Sequence, residues 1–559
     1  MINNNNRQEI RMIRNKSYST VLIVLIVLIA LNFAGTYLSK RFDLTQDKRY
    51  TLSNETIRLV EQIEKPLFIK VYLQGDFPAE FKRLQLETDQ LLEELSEIND
   101  LIQFRFIDPI SSSKDLIKKG LQPSRLTVQE DGKVSEALIF PWAVIDFDEK
   151  EANVPLLVNA ISPSQEQQLQ SSIENLEYEF ANAIHKISEE KSKSIAILKG
   201  NGQPDDIYLY SFLKSLSEYY QLAEFTLDSV ENNPFKTLKE LSSYDLSIIA
   251  KPSQSFDEKE KFVLDQYIMQ GGKTLWLLDN VHAEMDSLML TGKSLAFNRD
   301  LNLTDMLFSY GVRINYNITK DLYSSSIRLA AGSTGNQVQY ENFRWPYFPL
   351  IFADNSHSIT KNIDPVLMKF PSSLDTLQNQ IKKKILLESS PLAKIIGTPT
   401  NINLNEVAIE QNKEEFQDSN TNFGVLLEGA FTSAYANRIA PVEIGNFTRT
   451  GSQNKMIVIS DGDIAVNDVF RGEPLPLDKD KWTNQNYGNI DFLLNSVHYL
   501  LDDSGLLNLR SKSLQIQFLD KEKVFEQRGY WQLINLALPL IILFGFGFLF
   551  NFMRKRRYH

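Results

Sequence analysis

Two stretches without a single charged residue, 17–39 and 529–553, constrain this chain more than any other feature. At about 1.5 Å per residue each is long enough, as a helix, to cross a hydrocarbon layer of roughly 30 Å. The first contains a run of Val, Leu and Ile over 21–31. The sequence after it, Leu31-Asn32-Phe33-Ala34-Gly35, is a poor small-x-small cleavage site, which favours an uncleaved anchor over a signal peptide. The second opens on Tyr530-Trp531, a pair suited to the membrane interface, and contains Pro539, which membrane helices tolerate. Two spans place both termini on one side of the membrane.

Charge sets the expected side. Residues 1–16 carry Arg7, Arg11, Arg14 and Lys16 against Glu9, and 554–559 carry Arg554, Lys555, Arg556 and Arg557. With a net charge of −12 over 559 residues, the part between the spans is left at −19. Basic ends read as cytoplasmic, so the acidic middle is expected outside the cytoplasm, in a bacterium in the periplasm. Such a middle lacks the basic face of a nucleic-acid binder. The chain contains no cysteine, which removes disulfides, thiolate metal sites and cysteine nucleophiles together.

The middle is too long for one hydrophobic core and reads as two α/β domains, 40–190 and 191–505. In the first, Ser53 is placed to cap a helix over 54–63. A strand at 67–73, a long amphipathic helix at 78–98 and a strand at 102–107 follow, a spacing that suggests a parallel pair. Strands at 124–129, 137–145 and 154–158 come next. A helix over 164–187 with Leu169, Ile173, Leu176, Phe180 and Ile184 on one face completes the domain. The second domain alternates strands (194–198, 224–227, 246–250, 274–278) with helices (206–219, 257–270) and resumes at strand 456–459 and helix 490–501. That alternation marks a doubly wound sheet. The irregular stretch 280–454 reads as an insertion, whose Trp345-Pro346-Tyr347-Phe348-Pro349 is expected to be packing. Residues 506–528 form the approach to the second span.

Few motifs carry chemistry. Gly271-Gly272-Lys273-Thr274 has the tail of a phosphate-binding loop, but Tyr267 stands where its upstream glycine belongs and a strand follows, so a helix end is expected. Gly200-Asn201-Gly202 follows a strand, where α/β proteins place ligand loops; Asp205 replaces the third glycine of the dinucleotide fingerprint, and a tight turn is the simpler reading. Asp461, Asp463 and Asp468 gather after strand 456–459 and could hold a divalent cation, although no glutamate closes a calcium loop. Asp279, His282 and Asp286 form a second candidate group after strand 274–278. No H-E-x-x-H or G-x-S-x-G pattern is present. The reading is of no enzyme and no cofactor.

Several of these segments together resemble the auxiliary proteins of gliding-motility ABC transporters (GldG type). They are the 42–53 stretch ending Tyr50-Thr51-Leu52-Ser53, Gly200-Asn201-Gly202, Gly271-Gly272-Lys273 running into Leu277-Leu278-Asp279, Asp461-Gly462-Asp463, and Tyr487-Gly488-Asn489-Ile490-Asp491-Phe492. The resemblance implies a non-catalytic, substrate-binding or auxiliary subunit in the inner membrane of Bacteroidetes-type bacteria, partnered by a separate ATPase and a multi-span permease, with unnamed cargo. It also implies an amidotransferase-like fold for the second domain, whose cysteine nucleophile this chain lacks. Gln203 stands where the family more usually has Glu. A periplasmic scaffold for surface machinery, or a tethered hydrolase using Asp461–Asp463 or Asp279–His282, are the alternatives.

Overall fold

The computed structural model describes residues 25–27, 51–75, 79–130, 133–157, 165–334, 337–481, 483, 485–501, 509 and 521–557. Residues 1–52 form one compact unit and 53–559 another. Of the first unit, 25–27 are helical; the remainder of the expected span 17–39 lies outside the described residues.

The second unit opens with helix α1 (Asn54–Glu61), whose Thr56 N–H donates to Ser53 Oγ at 3.1 Å, as the sequence predicts for an N-cap. Strand β1 (Leu67–Val71), helix α2 (Ala79–Ile98) and strand β2 (Ile102–Phe106) make the expected crossover, β1 pairing with β2 in parallel. A hairpin of β3 (Ser124–Glu130) and β4 (Lys133–Ile139) stands apart from this sheet. Strands β5 (Trp142–Phe147) and β6 (Lys150–Pro155) complete it in the order β2-β1-β5-β6. The single strand expected at 137–145 is thus two, broken at Phe140-Pro141, because proline has no N–H for a ladder. The strand expected at 154–158 starts earlier. Asp148 and Glu149 both take positive φ, 47° and 67°, and fold Phe147 tightly back onto Lys150. Helix α3 (Gln165–Ser188) covers the sheet with Leu169, Ile173, Leu176, Phe180 and Ile184, all buried.

The second series holds β7 (Ser194–Lys199), α4 (Asp206–Ser217), β8 (Gln221–Thr226), α5 (Pro234–Leu241), β9 (Leu246–Ala250), α6 (Glu258–Met269) and β10 (Lys273–Leu277). Every residue of β9 is buried, the mark of a parallel strand covered on both faces. Helix α6 begins in a capping box. Asp257 accepts from the Glu260 N–H at 2.7 Å, and Glu260 accepts from the Asp257 N–H at 2.9 Å. It ends at Gly271, φ 96°, and Lys273 starts β10, so the Gly-Gly-Lys segment is the helix end the sequence suggests.

Within 280–454 the chain does more than the insertion expected there. Strands β11 (Val312–Ile314), β12 (Leu374–Thr376), β13 (Lys382–Glu388) and β14 (Asn422–Thr432) join the main sheet, followed by β15 (Thr450–Ile459). The order is β11-β12-β14-β15-β10-β9-β7-β8, with β13 also on β14. The half from β15 to β8 is parallel and the half beyond it antiparallel. Phe423, Val425, Leu426 and Leu427 are all buried, so this part of β14 is covered on both faces beside β15. The other residues of the stretch form smaller sheets around a second core in which Trp345, Tyr347 and Phe348 are buried, so the Pro-aromatic segment is packing. Helix α7 (Asn489–Leu501) lies on the main sheet. Helix α8 (Lys521–Arg557) contains a 28-residue candidate membrane span, Gly529–Arg556, whose apolar window is not buried against the protein.

Candidate functional site

Parallel strands end on a common rim, and there the backbone turns away and leaves side chains converging. Here β9, β10 and β15 are neighbours, and their ends deliver Lys251, Asp279 and Asp461 to one place. Carboxylate oxygens of Asp279, Asp461 and Asp463 all lie within 4.8 Å of one another. The sequence brings two of these forward as one candidate group and Asp279 as another; folding merges them. Asp468 separates from them. Beyond the 3-10 turn Asp463–Ala465 it faces Lys481 at 2.9 Å and Lys369 at 3.9 Å. Burial would raise its carboxyl, but the two lysines hold it low.

Cations already occupy the centre of the group. Lys251 Nζ donates to Asp463 Oδ1 at 2.6 Å and lies 3.7 Å from Asp279 Oδ2 and 3.5 Å from Glu284 Oε2. Arg299 Nη1 lies 3.7 Å from Asp279 Oδ2, and its Nη2 donates to His282 Nδ1 at 2.9 Å. Backbone N–H groups also donate to these carboxylates. Asp461 accepts from the N–H groups of Lys369 (2.6 Å) and Asp463 (2.8 Å), and Asp279 Oδ1 accepts from Gly462 N–H at 2.5 Å. Lys251 itself sits at φ 47°, an uncommon conformation for a residue with a side chain, and one found where the surroundings over-determine the backbone. Gly462 makes its approach possible, because a Cβ there would be 2.7 Å from Lys251 Cβ and Cγ.

The electrostatics follow from this crowding. Burial pushes Asp279 up to about 6 against the pull of Lys251, and it pushes Asp461 well above the usual carboxylate range with help from Asp279 and Asp463. Burial alone would lower Lys251, yet Asp463, Asp279 and Glu284 outweigh it and keep the ammonium charged. His282 is lowered, first by burial and then by Arg299, consistent with a neutral ring accepting at Nδ1. A divalent cation would have to displace Lys251, so the residues fit a metal poorly while that ammonium is present. Asp286, on helix Met285–Thr291, lines an adjoining cavity of about 210 Å³ together with Asp463, Asp468 and Lys369.

The glycine loop lies at the end of β7, next to β9 in the sheet. Gly200 and Gly202 take φ 107° and 70°; Asn201 O accepts from Ser253 N–H (3.1 Å) and Gln254 N–H (3.0 Å), and a Cβ at Gly202 would be 2.2 Å from Ser253 Oγ. The loop is a tight turn clasped by the segment after β9. Lys251, Glu284, Arg299 and Lys369 escape the sequence reading. The signal for Lys251 is present, because it directly follows the strand 246–250, as Asp279 directly follows the strand expected at 274–278.

Residues 192–496 match a family described as an ABC-type uncharacterized transport system, and 46–146 match a domain of unknown function. An uncharacterized protein of Borreliella burgdorferi is 21% identical over 539 residues, covering 92% of this chain and 94% of its own. Among solved structures, the mmIFT52 N-terminal domain aligns at a TM-score of 0.31 and 12% identity, over 58% of this chain and 100% of that one. A thua-like protein from Parabacteroides merdae aligns at 0.24 and 10%, over 59% and 94%.

Proposed function

Because the chain belongs to the family of auxiliary proteins of ABC-type transport systems, we propose that it is a non-catalytic, membrane-anchored subunit of such a transporter, of the gliding-motility type. ATP hydrolysis belongs to a separate chain, and a multi-span permease is the partner of the anchors at 17–39 and in α8. The α/β regions 40–190 and 191–505 stand in the periplasm, where they bind cargo or shape its access, and both termini are cytoplasmic.

The observation that carries this reading is the bare surface of α8. A helix this long whose apolar window is left unburied by its own chain calls for lipid, another helix, or both. The rim supports it, since its carboxylates are engaged by Lys251, Arg299 and backbone N–H groups. The test is purification of the tagged full chain from native membranes in mild detergent. Recovery of an ABC ATPase and a permease in fixed ratio is expected; recovery of the chain alone overturns the reading.

A further inference from the structure

A cavity of about 370 Å³ lies where α3 and the edge of the first sheet meet α7 and the segments before it. Asn362 Nδ2 donates to Asn175 Oδ1 at 3.1 Å and Asn182 Nδ2 to Tyr219 OH at 3.0 Å, so the two layers are bonded to each other around it. Its size falls in the range of ordinary ligand sites, and a cleft between layers is where such sites form. Its lining is one-sided in charge. Glu179, Asp364, Asp478 and Asp491 contribute four carboxylates, six asparagines contribute neutral amides, and among the described lining residues there is no lysine or arginine.

Two further features bear on what would enter. Aromatic faces line the same walls, from Trp142, Tyr178, Tyr219 and Tyr487. The Tyr219 ring already receives an ammonium at the cavity edge, with Lys186 Nζ 5.8 Å from its centroid and paired to Glu218. The carboxylates are also spread around the cavity. Among the described residues, the group close enough to chelate an ion is the one on the rim, not this one. Burial raises Asp478, its own backbone N–H pulls it back, and the charge of Asp491 raises it against the pull of Lys479. A concave wall of one sign concentrates the opposite charge, and the aromatic faces suit an organic cation rather than a hydrated metal.

We propose that this cleft binds an organic cation, an alkylammonium or guanidinium group presented either by a free polyamine or by a basic side chain of a protein segment. The inference does not rest on the transporter reading, since it uses only the walls of the cleft. Binding of spermidine and of an end-blocked tri-lysine peptide to the full chain in detergent is measured by titration calorimetry, with mannitol as a neutral control. Saturable binding of at least one cationic probe is expected, weakened about tenfold, or about 1.4 kcal/mol, by Asp478→Asn combined with Asp491→Asn. Spermidine alone binding identifies a small-molecule site, and tighter peptide binding identifies a protein segment. Asp491→Lys, which places a cation at the first turn of α7, gives the second check and should abolish binding. No saturable binding of either probe, mannitol binding as tightly as the cations, or affinity unchanged in both variants overturns the proposal.

Discussion

Replacing Lys251 by methionine keeps most of the side-chain volume and removes the charge around which the rim is built. Its ammonium has 2.6, 3.5 and 3.7 Å contacts to Asp463, Glu284 and Asp279, with its own side chain 11% exposed and those of Asp463 and Asp279 at 13% and 12%. Breaking a pair this enclosed strands the partner charge and costs about 3–5 kcal/mol. At about 2.1 cal/mol/K of unfolding entropy per residue, a unit of roughly 450 residues loses about 1 °C per kcal/mol, so Tm should fall by about 3–5 °C at pH 8. The loss should depend on pH. Lys251 pulls Asp279 and Asp461 down against burial, so without it both hold their protons to higher pH, and the fall in Tm should shrink as the pH is lowered from 8 to 5. The assay is thermal unfolding of the full chain in detergent, followed by near-ultraviolet circular dichroism at both pH values. A variant as stable as wild type at pH 8, or equally destabilised at pH 5 and pH 8, refutes the view that Lys251 is the resident cation of this cluster.

Three other outcomes follow from the same geometry. Lys251→Met vacates a place beside three carboxylates whose oxygens lie within 4.8 Å, so millimolar Ca²⁺ should raise the Tm of the variant and leave wild type unmoved in the same melts. Asp279 and Asp461 both have folded values raised above the unfolded one near 4, so their contribution is complete at low pH and is lost as pH rises, through about 6 for Asp279. Asp461→Asn should carry a pH-independent offset of about 1–3 kcal/mol, because its amide N–H₂ meets a backbone donor, but should flatten the loss of stability with rising pH in denaturant titrations. Gly488→Ala would put a Cβ 2.0 Å from Asp364 O, so the backbone must shift; a loss of about 3 kcal/mol is expected from the midpoint of urea unfolding.

Local rules were enough to find most elements. The Ser53 cap of α1, the mostly apolar run of β9 and the buried stripe of α3 each leave a periodic or capping signature within one segment. What escaped needed information from elsewhere in the chain. The break at Pro141 divides a stretch whose alternation looks continuous, and the turn at Asp148-Glu149 uses residues without the usual glycine. Strand β14 looks irregular in sequence because its pattern makes sense only beside β15. At the rim, the strand-end rule found Asp279, Asp461 and Asp463. It could not find that Lys251, 212 residues from Asp463, would stand between them, or that Asp468 would turn toward Lys481. Proximity of carboxylates in sequence signals a strand end; whether they face a ligand or a lysine is decided by the neighbouring strand.

That distinction bears on what the rim does. A carboxylate acting as base, nucleophile or ligand needs a lone pair facing the reacting group. Asp461 spends one oxygen on the Lys369 N–H and the other on the Asp463 N–H, and Asp279 spends one on Gly462 N–H while its second faces Lys251 and Arg299. These bonds join segment 369 to the ends of β9, β10 and β15, elements brought together only by the finished sheet. A buried ion cluster adds little net stability over an apolar packing of the same shape, but misregistered strands would leave its charges unpaired. The rim therefore ties the segment before β12 to the ends of three adjacent parallel strands. The surfaces that remain as candidates for partners are the unburied apolar part of α8 and the acidic cleft beside α3.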